Sequence, residues 1–245
     1  MLFKFFRPEH VQMFLDGNLY FKNTGYFIDL ESELGDKGIG DKHEGAFFRA
    51  FNPETDEMYI MLENGEKIKM NFKHGYAAER YEVSRQFQLT CFTGMFIDED
   101  MEEVGENQLK IKQEVINELK KEFPDRVPIL ILNEEELFNR IDTIFSEKEI
   151  RALHGYVTYF DEHKEPPLKE EDYRKDITQA FFYKRNFFKS QKEYRIITSH
   201  PVEGDSLEAK LNSIDDIVFN VGDMDNLAKL TFMKIEQGVR VYIEN

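Results

Sequence analysis

A predicted hairpin around Asn64-Gly65 constrains the fold of this chain more than any other stretch. Residues 58–63 and 67–72 are rich in apolar and β-forming side chains and lie on either side of this dipeptide. Asn-Gly is preferred in two-residue hairpin turns because both positions require a positive φ. The two runs are therefore predicted to pair as antiparallel strands.

Further strand-like runs alternate with helical segments along the rest of the chain. Strands are predicted at 19–22, 46–51, 86–96, 127–132, 154–160, 194–198, 216–220 and 239–243. Helices are predicted at 8–15, at 107–123, after an Asn133 cap, near Glu170 and at 224–235. This order predicts an α+β fold with a largely antiparallel mixed sheet and interspersed helices, in a single domain over residues 1–245. A glycine-rich stretch near 28–45 is predicted to be a mobile loop, 98–106 an acidic connector, and 161–176 a charged loop.

Composition and charge limit the function classes. The lone cysteine, Cys91, excludes an internal disulfide and a Cys-cluster zinc site. The N-terminal apolar run is too short for a membrane span, so we expect a cytoplasmic protein with no membrane partner. A net charge of −16 makes broad DNA binding unfavourable. It still allows a local basic cleft for a phosphate-bearing ligand, or an acidic surface that meets a basic protein.

The segment 181–199 concentrates cations in this acidic chain. Its five cationic residues are Lys184, Arg185, Lys189, Lys192 and Arg195. The residues from Tyr194 onward are predicted to form a strand, so Glu193 lies at its entrance. A carboxylate among cations at a strand edge is a candidate site. The same pattern also fits a salt-bridged strand entrance with no chemical role.

Two other stretches carry candidate chemistry. Asp41, His43 and Glu44 lie within four residues and could serve as acid, base or metal ligands, or form an ordinary turn. Thr90 and Thr93 lie on opposite faces of a predicted strand, where either hydroxyl could position a ligand or simply favour β structure. Cys91 is predicted to be a buried core thiol without a catalytic role. The remaining histidines are scattered, so no metal site is predicted.

Four short motifs, in order, resemble a known protein family. They are Phe6-Arg7 with Leu19-Tyr20-Phe21, the 41–45 loop (D-x-x-E-G), the 89–93 strand (L-x-C-F-T), and Lys184 with 193–197 (E-x-R-I-I). The order resembles a large uncharacterised family of bacterial and phage proteins found among abortive-infection and mobile-element genes, over residues 2–220. This chain departs from the family at Lys42, where proline is usual, and at Gln191, where the first of two glutamates often lies. It also lacks the family's usual tryptophan.

Gln191-Lys192-Glu193 is also similar to the Q-x-E element of ADP-ribosyltransferases. That resemblance implies NAD as the co-substrate, with Arg7 on its pyrophosphate, Thr93 or Thr90 orienting the ribose, and Glu193 stabilising an oxocarbenium ion. The catalytic residues expected overall are Asp41, Glu44, Thr93 and Glu193. The substrate-binding residues expected are Arg7, Lys184, Arg185, Gln191 and Arg195.

Two functions are compatible with these expectations. The first is an enzyme of phage–host conflict that acts on a nucleotide or nucleic-acid-related substrate, with an ADP-ribosyltransferase-like arrangement. The second is a non-enzymatic acidic protein that binds a host or defence protein. The enzyme interpretation requires the 41–45 loop and Glu193 to line one cavity.

Overall fold

A computed structural model describes residues 1–35, 39–235 and 238–243 of the chain. Helices contain 33% of the residues and strands contain 34%. A large antiparallel sheet is interspersed with helices. The predicted α+β class is therefore confirmed. Within the described ranges, no helix is both long and apolar enough to cross a membrane.

The strands and the α-helices are each numbered in chain order. The strands are β1 (Leu2–Phe6), β2 (Asn18–Asn23), β3 (Phe47–Ala50), β4 (Met58–Met61), β5 (Lys67–Met70), β6 (Tyr76–Glu79), β7 (Gln88–Gly94), β8 (Met101–Gly105), β9 (Gln108–Ile111), β10 (Val127–Ile131), β11 (Ala152–Tyr156), β12 (Thr158–Phe160), β13 (Tyr183–Arg185), β14 (Glu193–Thr198), β15 (Ser206–Lys210), β16 (Val218–Asn220), β17 (Leu230–Ile235) and β18 (Gly238–Ile243). The α-helices are α1 (Pro8–Leu15), α2 (Thr24–Leu34), α3 (Ile97–Asp100), α4 (Gln113–Glu122), α5 (Glu134–Glu147) and α6 (Glu170–Lys175). Short 3₁₀ helices cover Glu82–Gln86, Ile177–Phe182, Asn186–Gln191 and Met224–Lys229.

The chain divides into two compact units, each built from separate stretches. Unit 1 comprises 1–23, 86–156 and 190–245, and unit 2 comprises 24–85 and 157–189. The chain therefore passes from one unit to the other four times. Each unit has its own sheets and its own hydrophobic clusters.

Unit 1 contains the large antiparallel sheet. Its order is β11-β14-β7-β1-β10-β16, and β2 pairs with both β7 and β15. Side chains alternate between the two faces of a strand, so Leu2 enters one hydrophobic cluster and Phe3 the other. Helices α1 and α5 contribute to the first cluster. Helix α4 and the antiparallel sheet β18-β17-β9-β8 contribute to the second.

Local signals in unit 1 explain where its helices begin. Pro8 occupies the first turn of α1, where its missing N–H costs nothing. Asn133 caps α5 because its side chain accepts a hydrogen bond from the Glu136 N–H at 3.0 Å. Both helix starts were predicted from the sequence, and both are confirmed.

Unit 2 is built from small sheets and two separate aromatic clusters. Strands β3 and β6 pair antiparallel, β4 and β5 form the predicted hairpin, and β12 and β13 pair in parallel. Gly65 has φ of +84°, as the turn requires. Phe47 and Tyr173 centre one cluster, and Phe48 and Phe160 centre the other.

The prediction of a loop at 28–45 is wrong for residues 28–34. Residues 24–34 form helix α2, in which Thr24, Ile28 and Glu31 are buried at helical spacing. The pattern was missed because one of its buried positions is a glutamate. Residues 36–38 of this stretch lie outside the described residues. In the charged stretch 161–176, helix α6 begins at Glu170, as expected.

Three other predictions in unit 1 are corrected. The 107–123 helix is strand β9 followed by α4, because Leu109 and Ile111 are buried with period two. The 224–235 helix is a 3₁₀ turn followed by β17, where Leu230 and Phe232 are buried with the same period. The acidic connector at 98–106 carries α3 and strand β8.

Candidate functional site

Glu193 lies at one end of three neighbouring strands of the large sheet. It is the first residue of β14 and pairs with Thr93 of β7, which in turn pairs with Phe3 of β1. Residues that pair directly across antiparallel strands point to the same face. Glu193, Thr93 and Phe3 therefore share the face of the sheet that carries the second hydrophobic cluster of unit 1.

The Glu193 carboxylate is buried beside an arginine from its own strand. The residue is only 7% exposed and Arg195 only 1%. The Nε atom of Arg195 donates to Oε2 of Glu193 at 2.6 Å. The two residues are two positions apart, so they share one face of β14. A charge-assisted bond of this kind fixes the orientation of the carboxylate.

The Cys91 thiol also approaches this carboxylate. Its Sγ donates to Oε2 of Glu193 across 3.6 Å, and the residue is half-buried. Cys91 pairs with Arg195 across the strands. The thiol that was predicted to be buried in the core is therefore only half-buried, because this position of β7 faces a polar cluster. Thiol, carboxylate and guanidinium form one contiguous polar group.

Thr90 and Thr93 lie on opposite faces of β7, as the sequence predicted, and both are buried. Thr93 is on the Glu193 face. Thr90 accepts a hydrogen bond from the Lys4 Nζ at 2.8 Å, and the same amine donates to the Cys91 carbonyl at 2.7 Å. Thr90 thus supports a half-buried lysine on the opposite face of the sheet.

Lys4 is a polar residue that the sequence interpretation did not single out. It lies on the apolar strand β1, with its Nζ 4.6 Å from the ring centroid of Phe92. Removal of its amine from water lowers the pKa of Lys4 to about 8. The signal was present in the sequence. A lysine that alternates with Leu2 and Phe6 occupies a core-facing position of a strand.

Two other expected binding residues of unit 1 lie elsewhere. Arg7 is exposed and precedes α1, four residues beyond Phe3, which places its backbone about 13 Å along the strand direction from the Glu193 row. The Gln191 amide donates to Oε1 of Glu122 at 2.9 Å, while the Ser190 hydroxyl donates to Oε2. Neighbouring Lys192 pairs with buried Asp100.

In unit 2, Asp41 belongs to a buried ion cluster centred on Arg185. The Nη2 atom of Arg185 lies 3.1 Å from Oδ1 of Asp41 and 3.3 Å from Oε2 of Glu31. The same carboxylates accept backbone bonds from the turn, with His43 N donating to Asp41 at 3.0 Å and Lys42 N donating to Glu31 at 2.7 Å. Arg185 therefore joins helix α2, the 41–45 turn and strand β13.

A second arginine closes the same turn. Arg80 donates to the carbonyl of Lys42 at 3.1 Å and to that of Glu44 at 3.4 Å. Gly45 has φ of +66°, and a Cβ at this position would lie 2.4 Å from the Phe181 ring. The backbone of the turn is thus fixed from several sides. Glu31 and Arg80 were not predicted, and no local sequence pattern distinguishes them.

His43 lies within this turn in an aromatic setting. Its ring makes edge contacts with Phe48 and Tyr76, and its Nε2 is 3.4 Å from the Tyr76 hydroxyl. Burial and the neighbouring Arg185 lower the pKa of His43 to about 4, although Asp41 acts in the opposite direction. His43 is therefore neutral near pH 7.

Glu44 and Lys184 are also buried residues of unit 2. The Nζ of Lys184 lies 4.1 Å from the ring centroid of Phe188, and the Arg185 guanidinium lies 5.3 Å from it. Both distances are typical of cation–π contacts. Phe188 thus orders the two consecutive cations of β13.

The structure groups the expected site residues into two clusters, each within one unit. Unit 1 brings together Glu193, Arg195 and Thr93. Unit 2 brings together Asp41 and Arg185. A single cavity shared by these residues stays a prediction. In the described part of the chain, no group of three or more His, Cys, Asp or Glu side chains is placed to hold a metal ion.

Comparisons with protein-family models, with curated proteins and with solved structures found no match. The resemblances carried by the short motifs therefore remain expectations. Any assignment of function to this chain rests on the geometry of the two clusters.

Proposed function

We propose that the chain is an enzyme that acts on a nucleotide-like substrate through the Glu193 carboxylate, in the manner of an ADP-ribosyltransferase with NAD. The observation that supports this most is the buried Glu193–Arg195 bond at the sheet end, in register with Thr93. A carboxylate held in a fixed orientation and shielded from water interacts strongly with a developing positive charge.

The proposed chemistry assigns one role to each side chain. The bond between the ribose C1′ and nicotinamide breaks, and its electron pair leaves with nicotinamide. The Glu193 carboxylate stabilises the cationic ribose, and the Thr93 hydroxyl hydrogen-bonds to the same ribose. An acceptor nucleophile then forms a bond to C1′ and loses its proton. Arg7 is not assigned to the pyrophosphate, because it lies four residues beyond Phe3, the residue of β1 that pairs with Thr93.

The test measures nicotinamide release from NAD by the parent and by the double variant Glu193→Gln/Arg195→Gln. Replacing both members removes both charges and leaves neither buried ion unpaired. We expect release by the parent and a loss of roughly a hundredfold to a thousandfold in the variant. No release by the parent with any acceptor, or undiminished release by the variant, would refute the assignment.

A matched control comes from the same unit. Glu208 and Lys210 are also two residues apart on one strand, with a 3.9 Å ion pair, but the Lys210 side chain is largely exposed. Glu208→Gln/Lys210→Gln removes the same number of charges from a similar backbone geometry. Nicotinamide release by this variant should equal that of the parent.

A second candidate function is the binding of a host or defence protein in the cytoplasm, and the β4–β5 hairpin favours it. Met58 pairs with Met70 and Ile60 with Ile68, so these four apolar side chains share one face. Ile60 and Ile68 are 47% and 50% exposed. Contiguous exposed apolar surface is typical of protein interaction sites.

This second function has its own test. Ile60→Ser/Ile68→Ser should abolish a biological effect that depends on binding, such as phage interference in cells, while nicotinamide release is retained. An unchanged cellular effect would exclude the hairpin as the binding surface.

A further inference from the structure

Unit 2 contains an open cavity that none of the predicted site residues lines. Its volume is about 650 Å³, within the range usual for small-molecule sites. Strand β3 and the residues after it form one side. Residues 163–170 and the pair Lys73-His74 form the rest.

The cavity wall carries two exposed imidazole rings in contact with each other. The ring centroids of His74 and His163 are 5.4 Å apart, and that of Tyr76 lies 6.3 Å from His163. Tyr76 in turn packs on Phe48, which is buried against Phe160. Through Tyr76, the exposed His163 ring is thus in contact with a buried aromatic cluster. Each imidazole ring offers a planar face on which a flat ligand can stack, and the two faces are tilted by 48° to each other.

Charges at the cavity are only partly neutralised within the protein. Arg49 and Asp56 approach each other at 4.0 Å, and Glu170 is bound by Arg174 at 2.6 Å. Lys73 and Lys169 line the cavity, and neither has an ion pair or side-chain hydrogen bond with any described residue. Glu165 is the one lining carboxylate left without such a partner in the same part of the chain. These two ammonium groups outnumber the one carboxylate, which favours an anionic ligand. The excess of positive charge at the cavity contrasts with the net charge of −16 of the whole chain.

We propose that this cavity binds a nucleoside monophosphate, or the corresponding part of a larger nucleotide. Its base would stack on the His163 ring beside His74, and its phosphate would accept bonds from Lys73 and Lys169. Stacking on aromatic side chains and lysine contacts to phosphate are the usual elements of such recognition. The proposal goes beyond the function proposed above, because it does not require Glu193 to be catalytic.

The experiment is calorimetric titration of the full chain with AMP, adenosine and inorganic phosphate. AMP carries both the base and the phosphate, adenosine carries only the base, and inorganic phosphate carries only the phosphate. We expect AMP to bind at least about tenfold more tightly than either, since a single charge-assisted contact contributes about 1.5–3 kcal/mol. Absence of saturable AMP binding, or equal binding of adenosine, would overturn the proposal.

Variants then locate the binding. Lys73→Gln/Lys169→Gln and His163→Ala should each weaken AMP binding about tenfold or more. These residues are exposed, so the variants should melt as the parent does. Lys67→Gln/Lys121→Gln removes two exposed lysines outside the cavity and should leave binding unchanged.

A last variant separates this proposal from the proposed enzymatic function. Glu193→Gln/Arg195→Gln should retain AMP binding in full, whatever its effect on nicotinamide release. If that variant loses AMP binding while Lys73→Gln/Lys169→Gln keeps it, AMP binds at the Glu193 cluster. That result would refute the unit 2 site and support the enzyme.

Discussion

Each unit of this protein buries an arginine beside carboxylates, and the two arrangements differ in what they connect. In unit 2, Arg185 binds Glu31 and Asp41, which are 154 and 144 residues away in sequence. In unit 1, Arg195 binds Glu193, two residues away on the same strand. The first arrangement joins three elements. The second joins two neighbours that the strand already holds together.

This difference indicates different roles for buried charge. Removing ions from water costs free energy, which their attraction only partly offsets. At Arg185 the same contacts hold a helix, a turn and a strand in place, so a structural role accounts for them. The Glu193–Arg195 bond itself lies within one strand, and the Cys91 thiol of the neighbouring strand β7 also reaches Glu193. An oriented, buried carboxylate is instead suited to chemistry.

The largest expected effect is that of Arg185→Gln. It would leave Glu31 and Asp41 buried without their common cation, and breaking a buried pair in this way typically costs about 3–5 kcal/mol. Denaturant unfolding monitored by circular dichroism measures the change. A loss below about 1 kcal/mol in the free energy of unfolding would contradict a structural role for the Arg185 cluster.

Arg174→Gln provides the matched control for that variant. Arg174 belongs to the same unit and pairs with Glu170 at 2.6 Å, but both side chains are about half exposed. Exposed pairs of this kind contribute about 0.2–1 kcal/mol. The difference between the two variants isolates the effect of burial.

Gly45→Ala should have the next largest effect. A left-handed φ costs a residue with a side chain about 1–2 kcal/mol, and the new methyl group would overlap the Phe181 ring, adding about 1–3 kcal/mol. We expect a loss of about 2–4 kcal/mol in the free energy of unfolding. Gly65→Ala, where φ is also positive but no atom lies near, should lose only the smaller, conformational part.

His43 should make unit 2 sensitive to acid. Its pKa is lowered to about 4 in the folded protein, so between about pH 6.5 and pH 4 the unfolded chain binds the proton more readily. Stability that is complete above about pH 6.5 is therefore lost as the pH falls through this window. His43→Phe should flatten this part of the stability–pH curve, and the exposed His10→Gln should not. An unaltered slope in His43→Phe would place the acid sensitivity elsewhere.

Cys91→Ser should have the smallest effect. A hydroxyl can replace the thiol as a donor to Glu193, so the free energy of unfolding should change by less than about 1 kcal/mol. Cys91→Val keeps the volume but removes the donor, and should be the less stable variant. If Val is tolerated better than Ser, the contact with Glu193 is unimportant.

Much of the fold could be predicted because its signals are local. The Asn64-Gly65 turn, Pro8 at the start of α1 and the Asn133 cap each depend on a few adjacent residues. The errors arose where one stretch changes period, as at 107–123, where strand β9 gives way to α4 within a few residues. Periodicity averaged over such a stretch indicates a single helix.

The candidate site was only partly predictable, because its contacts are not local. The concentration of cations around Glu193 pointed to the strand entrance, and the Glu193–Arg195 pair is consistent with strand alternation. The partners of Arg185 could not be found this way, since Glu31 and Asp41 meet it only through the tertiary fold. Asp41 was expected to be catalytic, whereas its described bonds hold a turn.

The most direct test of this account is the free energy of unfolding of Glu193→Gln/Arg195→Gln, measured beside Arg195→Gln alone. The single variant leaves a buried carboxylate without its arginine and should lose about 3 kcal/mol or more. The double variant removes both charges and leaves no buried ion without its partner, so we predict a clearly smaller loss than in the single variant. A double variant as unstable as the single one would contradict the account, because the pair would then be structural like the Arg185 cluster.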